Sequence, residues 1–175
     1  YDALDNLIRI TDHTGNKFEY FYDSLKRRVK STDPDMGTWT YDYDKNGNLI
    51  KSTNANGKVI NYAFDELGRI TTKDYADLPG VEVAYFYDDA ASLNGIGRRT
   101  RMQDLSGNSR WYYDKEGRII KLENTIDGTV YALEWNYDAL DRVKSITFPN
   151  LKKMDFGYNN AGLAERIEGY IFGVD

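Results

Sequence analysis

Acidic side chains at a regular interval are the feature of this chain that most resembles catalytic equipment. Asp2, Asp23, Asp44, Asp65, Asp88, Asp114 and Asp138 each follow an aromatic residue, and Asn159 takes the same place after Tyr158. Two carboxylates facing one another across a cleft would allow general acid and base work. These recur once per repeat at a single position, however, where a turn needs a side-chain acceptor, and turn chemistry accounts for them without catalysis. His13 is the single histidine, stands beside Thr14-Gly15 in a turn, and belongs to no Ser-His-acid arrangement. Asp33 with Asp35, and Asn54 with Asn56, place oxygen ligands close together. The glycine-aspartate nonapeptide of calcium-binding β-helices is nonetheless absent. Gly95-Ile96-Gly97 lacks a third glycine and opens no helix, which argues against nucleotide binding. With no cysteine, thiol nucleophiles and thiolate metal sites are excluded. The expectation is a chain with no catalytic residue, no metal site and no cofactor, hence not an enzyme.

The elements that hold these side chains follow from the same spacing. The aromatic anchors Tyr1, Tyr22, Tyr43, Phe64, Tyr87, Tyr113, Tyr137 and Tyr158 are separated by 21, 21, 21, 23, 26, 24 and 21 residues. Such a period marks a repeat architecture. Two residues before the anchors stand Tyr20, Tyr41, Tyr62, Tyr85, Trp111, Trp135 and Phe156, all aromatic. Four residues before stand Phe18, Trp39, Ile60, Val83, Leu133 and Met154, with Ser109 the polar exception. Alternation of period two predicts a strand with one aromatic face and one polar face, as in an antiparallel sheet wetted on one side. The aromatic ladder is then Tyr20, Tyr22, Tyr41, Tyr43, Tyr62, Phe64, Tyr85, Tyr87, Trp111, Tyr113, Trp135, Tyr137, Phe156 and Tyr158. Its rings are expected to stack between neighbouring repeats.

After the strand, Asp23, Asp44, Asp65, Asp114 and Asp138 open turns, and Gly47, Gly68 and Gly117 supply the positive φ that completes them. Asp5 and Asp141 stand where that glycine is missing, and Lys26 is the poorest fit. A second strand and a second turn follow, as in Asp12-His13-Thr14-Gly15 and Asn54-Ala55-Asn56-Gly57. Eight repeats of two strands predict roughly 14 to 16 strands in an up-and-down order. The expected fold is all-β: tandem antiparallel β-hairpin repeats forming a curved, spiralling sheet or barrel-like shell segment, with closed and open forms both compatible. Residues 1–175 read as one array, cut from a longer protein. Residues 88–97 sit where a tight turn belongs and read as a loop insertion, while Glu168-Gly169-Tyr170-Ile171-Phe172-Gly173-Val174-Asp175 lacks a turn and looks truncated.

Composition narrows the function classes. A hydrophobic share of 41% with 14% aromatic is too rich in packing material for a disordered chain. The net charge of −5 with both signs interspersed offers no basic block to a phosphate backbone, so nucleic acid is not an expected partner. No run of 18 apolar residues occurs, so no helical membrane span is expected. The absence of cysteine fits a bacterial or cytosolic origin, or a fold stabilised by other means.

Trp111-Tyr112-Tyr113-Asp114-Lys115-Glu116-Gly117-Arg118 resembles the YD repeat of the RHS family, and the resemblance runs through the whole chain in register. That family includes bacterial polymorphic toxins, shell components of insecticidal toxin complexes, and the teneurins. The resemblance implies a hollow β-shell, an encapsulated C-terminal toxin domain as partner, adjacent repeats of the same longer chain as neighbours, and a secreted or cell-surface location. An alternative is a carbohydrate-binding or cell-adhesion module, with glycans as partner. Asp33-Pro34-Asp35-Met36-Gly37 superficially resembles the Asp-Pro-x-Gly motif of self-cleaving members, but it carries one extra residue and more repeats follow it. It reads as a turn.

Overall fold

The computed structural model describes residues 1–169 and is all-β. Fifteen strands follow one another: β1 (Arg9–Thr11), β2 (Lys17–Tyr22), β3 (Arg28–Asp33), β4 (Gly37–Tyr43), β5 (Leu49–Thr53), β6 (Val59–Phe64), β7 (Ile70–Tyr75), β8 (Val83–Tyr87), β9 (Arg99–Asp104), β10 (Gly107–Tyr113), β11 (Ile119–Ile126), β12 (Thr129–Tyr137), β13 (Val143–Thr147), β14 (Lys153–Tyr158) and β15 (Ala164–Gly169). They form two compact units, Tyr1–Ala84 and Tyr85–Asp175. In the first unit each strand from β1 pairs antiparallel with the next, ending with Thr72 opposite Ala84 and Lys73 opposite Val83. The strands of the second unit follow the same antiparallel chain order. The tail residues 170–175 lie outside the described residues.

The alternation read from the sequence is plainest in β4, where Trp39, Tyr41 and Tyr43 are half-buried and Thr38, Thr40 and Asp42 face solvent. The second strands are covered more evenly: β7 is half-buried along its whole length. Neither unit closes a conventional core. Among the described residues, Tyr113, at 9% exposure, is the one large apolar side chain that is buried. A single antiparallel layer cannot bury more than one face, so its stability rests on cross-strand pairs and on what joins one hairpin to the next.

The bulge expected of a type I turn completed by a left-handed residue recurs along the sheet. The register shifts beside the anchors Tyr22, Tyr43, Phe64, Tyr113, Tyr137 and Tyr158. In the first such pair of strands Phe21 faces Lys30 while Tyr22 faces Arg28, so Val29 is unmatched. A β-bulge of this kind bends the strand and increases its right-handed twist, here at six of the anchors.

Candidate functional site

The repeated unit that could carry function is the joint around each anchor. It is built first from a turn. In the turn from Asp44 to Asn48, the Asp44 N–H donates to the Asn48 carbonyl (3.0 Å) and the Gly47 N–H donates to the Asp44 carbonyl (3.2 Å). Asp44 Oδ1 accepts the backbone N–H groups of Asn46 and Asn48, while Oδ2 accepts the Asn48 side-chain amide. Asp23, Asp65 and Asp138 repeat this pattern with an arginine in place of Asn48, and at Asp114 the Oδ1 accepts the Arg118 backbone N–H. Arg27, Arg69, Arg118 and Arg142 each donate Nε–H to the turn carboxylate at 2.6–2.7 Å. The side chain four residues after the Asp is therefore a clamp, supplied by Asn6, Arg27, Asn48, Arg69, Arg118 and Arg142.

Hydrogen bonding to the ionised form depresses these carboxyls. Asp44 is lowered chiefly by the Asn48 side chain, Asp23 and Asp65 by the backbone N–H groups of Arg27 and Arg69, and Asp138 by the Arg142 side chain. Asp12, in a turn of the second kind, is lowered to about 2, chiefly by the Thr14 hydroxyl. The fourth turn position is left-handed whatever occupies it. Gly47 has φ 91°, Asp5 and Asp141 have φ 62°, and Lys26 has φ 61°.

The second part of the joint is the anchor hydroxyl. Tyr22 donates O–H to the Leu7 carbonyl (3.0 Å) and Tyr43 to the Arg28 carbonyl (2.9 Å). In the second unit Tyr113, Tyr137 and Tyr158 donate to the carbonyls of Arg99, Ile119 and Val143 at 2.6, 2.8 and 2.8 Å. Every acceptor belongs to the preceding repeat and stands at its sixth place after the anchor, counted past the insertion for Arg99. Phe64 has no hydroxyl with which to make this bond. The clamp arginine completes the joint by lying over the next anchor ring: Arg27 over Tyr43 at 4.9 Å, Arg118 over Tyr137 at 4.7 Å, and Arg142 over Tyr158 at 4.3 Å. Burial raises the Tyr113 and Tyr137 phenols, which stay protonated and able to donate.

The ladder residues Tyr20, Tyr41, Tyr62, Tyr85, Trp111, Trp135 and Phe156 lie half-buried on their strands. Tyr41 and Tyr62 meet the hydroxyls of Ser31 and Ser52 at 3.3 and 3.4 Å. His13 is exposed in its turn. Asp33 Oδ1 accepts the N–H groups of Asp35 and Met36, an ordinary turn cap. Among the described residues, no three His, Cys, Asp or Glu side chains converge as metal ligands.

Residues 88–98 are an expanded version of the regular turn. Asp88 N–H donates to the Arg98 carbonyl and Asp88 Oδ1 accepts the Gly97 N–H, so Asp88, Gly97 and Arg98 keep the Asp, Gly and Arg roles. Eight residues now lie between Asp88 and Gly97, where the regular turn has two. Arg98 still stacks over Tyr113, at 5.5 Å, but its Nη1 donates to the carbonyls of Asn94 and Ile96. The extra residues fold back, with Leu93 accepting the Tyr113 N–H (3.0 Å) and Asn94 donating to the Tyr113 carbonyl (2.8 Å).

A family model for the RHS Repeat matches residues 1–35 and 43–77. A comparison with curated proteins finds no match. Among solved structures, the Tc holotoxin pore of Photorhabdus luminescens is 16% identical, with a TM-score of 0.82 over 99% of this chain and 10% of that one. TcdB2-TccC3-TEV gives 0.75 at 15% identity over 89% and 9%, and TcdB2-TccC3 gives 0.72 at 13% over 99% and 12%. The chain thus spans about a tenth of the structures it matches, and shares their fold over nearly its whole length. By this match the first half of the chain carries RHS repeats, and the same turn, clamp and anchor continue to Tyr158.

Proposed function

We propose that this chain is a section of wall: one array of YD repeats within a longer, secreted or surface-exposed bacterial protein, whose shell encloses a C-terminal toxin or other polypeptide cargo. The observation that carries this reading is the joint. The repeats contribute a half-buried ladder, and the anchor hydroxyls of Tyr22, Tyr43, Tyr113, Tyr137 and Tyr158 each tie a repeat to a carbonyl of the one before it. Such a surface extends by addition and has no single centre around which a reaction would be organised. The fold shared with segments of Tc toxin structures supports the same reading. The joint residues serve cohesion, and the ladder serves as the packing face that couples hairpins. A glycan-binding role has less support, because several ladder rings are already covered by arginine side chains. The test is electron cryo-microscopy of the full-length protein from which these repeats come. A continuous β-wall around internal density is expected, and an open sheet with no enclosed volume would overturn the proposal.

A further inference from the structure

Six of the eight repeats carry an apolar residue at the sixth place after the anchor: Leu7, Leu49, Ile70, Ile119, Val143 and Ala164. The other two carry Arg28 and Arg99 there. Both arginines lie between two ladder rings. Arg28 is 5.8 Å from the Tyr20 ring and 5.1 Å from the Tyr41 ring, and Arg99 is 5.6 Å from Tyr85 and 4.6 Å from Trp111. Arg9, Arg27, Arg69, Arg110, Arg118, Arg142 and Arg166 all pair with carboxylates. Among the described residues Arg28 has no carboxylate partner, although it is exposed. A guanidinium held face-on between rings keeps its N–H edge free and has lost much of its rotational freedom in advance.

Arg28 also borders an open pocket of about 280 Å³ walled by Phe18, Tyr20, Met36, Trp39 and Tyr41. That size suits one large side chain better than a free cofactor. Trp39 contributes a buried indole N–H with no acceptor. Asp33, the acid on this lining, has Oδ1 occupied by the N–H groups of Asp35 and Met36. From these features we infer that the pocket beside Arg28 binds an acidic–aromatic segment of polypeptide, its carboxylate on the guanidinium and its ring against the aromatic wall. A carboxylate is the ligand that a fixed guanidinium edge recognises in two parallel hydrogen bonds, and a peptide carbonyl would give the indole N–H an acceptor. The site stands whether or not the chain encloses cargo.

The test is an NMR titration of the full-length protein with N-acetyl-Phe-Glu-amide, following the Trp39 indole N–H and the Arg28 Nε–H. A dissociation constant of roughly 1 mM is expected, with the Phe-Gln peptide and the Arg28→Gln variant each about tenfold weaker by the arithmetic of one lost charge-assisted contact. Arg28→Lys should recover only part of the affinity, and Arg99→Gln should leave the Trp39 titration unchanged. Equal binding of the Glu and Gln peptides, unaltered affinity in Arg28→Gln, a changed Trp39 titration in Arg99→Gln, acetate binding as tightly as the peptide, or no binding at all would each overturn the inference.

Discussion

The tight turn from Asp44 to Asn48 and the expanded turn from Asp88 to Arg98 do one job with different means. In the first, a single carboxylate gathers two backbone N–H groups and a side-chain amide, and the residues between stay exposed. In the second, the extra residues make their own bonds, Ser92 N–H to Asp89, Gly95 N–H to Ser92 and Arg98 N–H to Gly95. They also enclose side chains, with Ser92 2% exposed and Thr100 fully buried. The contrast teaches that the anchor contacts persist when the turn beside them is rebuilt. Tyr113 keeps its hydroxyl bond to the preceding repeat and its arginine cover, although the turn that delivers them has six more residues.

The largest expected effect separates the two regions at their anchors. Tyr113→Ala should cost about 3–5 kcal/mol, as for a buried aromatic, and Tyr43→Ala about half as much because its ring is half-exposed. Urea unfolding of the two variants measures this, and equal losses would break the comparison. Next come the glycines. A Cβ at Gly95 would lie 2.5 Å from Thr100 Cγ2 and 2.9 Å from the carbonyl oxygens of Asp89 and Ser92. Gly95→Ala should therefore cost about 1–3 kcal/mol through overpacking. At Gly47 nothing lies within 4 Å, so Gly47→Ala should cost only the left-handed backbone term, roughly 1 kcal/mol. Thermal melts that reverse this order would contradict a packed interior for the expanded turn.

Smaller still is the hydroxyl. Phe64→Tyr should gain about 0.5–1.5 kcal/mol by reaching the Leu49 carbonyl, and Tyr158→Phe should lose a similar amount. Their difference in denaturation midpoint checks whether the bond between repeats, rather than the ring alone, holds the ladder. The last comparison is with pH. The turn carboxyls have folded pKa values below their unfolded value of about 3.9, so their contribution is complete above that value and is lost as pH falls through the depressed ones. Asp12, at about 2, marks the lower end of the window. Between these limits NMR should show the regular turns loosening before residues 88–98, where backbone bonds carry more of the closure. Simultaneous loosening would erase the distinction.

Much of this was legible in the sequence because period-two alternation, Asp openings and glycines report local backbone geometry, and local geometry dominates a hairpin array. The strands around Trp39, Tyr41 and Tyr43, and the turn at Asp44, could be placed on those grounds alone. The Arg27 and Asn48 clamps were visible as a recurrence at one position, but a polar residue after a turn is so common that its contact with Asp23 or Asp44 had no distinctive signal. The reach of the Tyr43 hydroxyl to the Arg28 carbonyl depends on how consecutive hairpins stagger, which spacing does not encode. The expanded turn hid its kinship with the regular one because Gly97-Arg98 stands six residues late. Left-handed Lys26 shows neighbouring hydrogen bonds overriding local preference: its N–H donates to the Asp23 carbonyl and its ammonium to that of Leu4.

The proposal of a wall held by its joints is tested most directly by timed proteolysis of the full-length protein, comparing wild type with a variant carrying Tyr43→Phe, Tyr137→Phe and Tyr158→Phe together. The account predicts that the C-terminal region resists cleavage in the wild type and becomes cleavable in the variant as the repeats loosen. A C-terminal region cut equally fast in both proteins would contradict it.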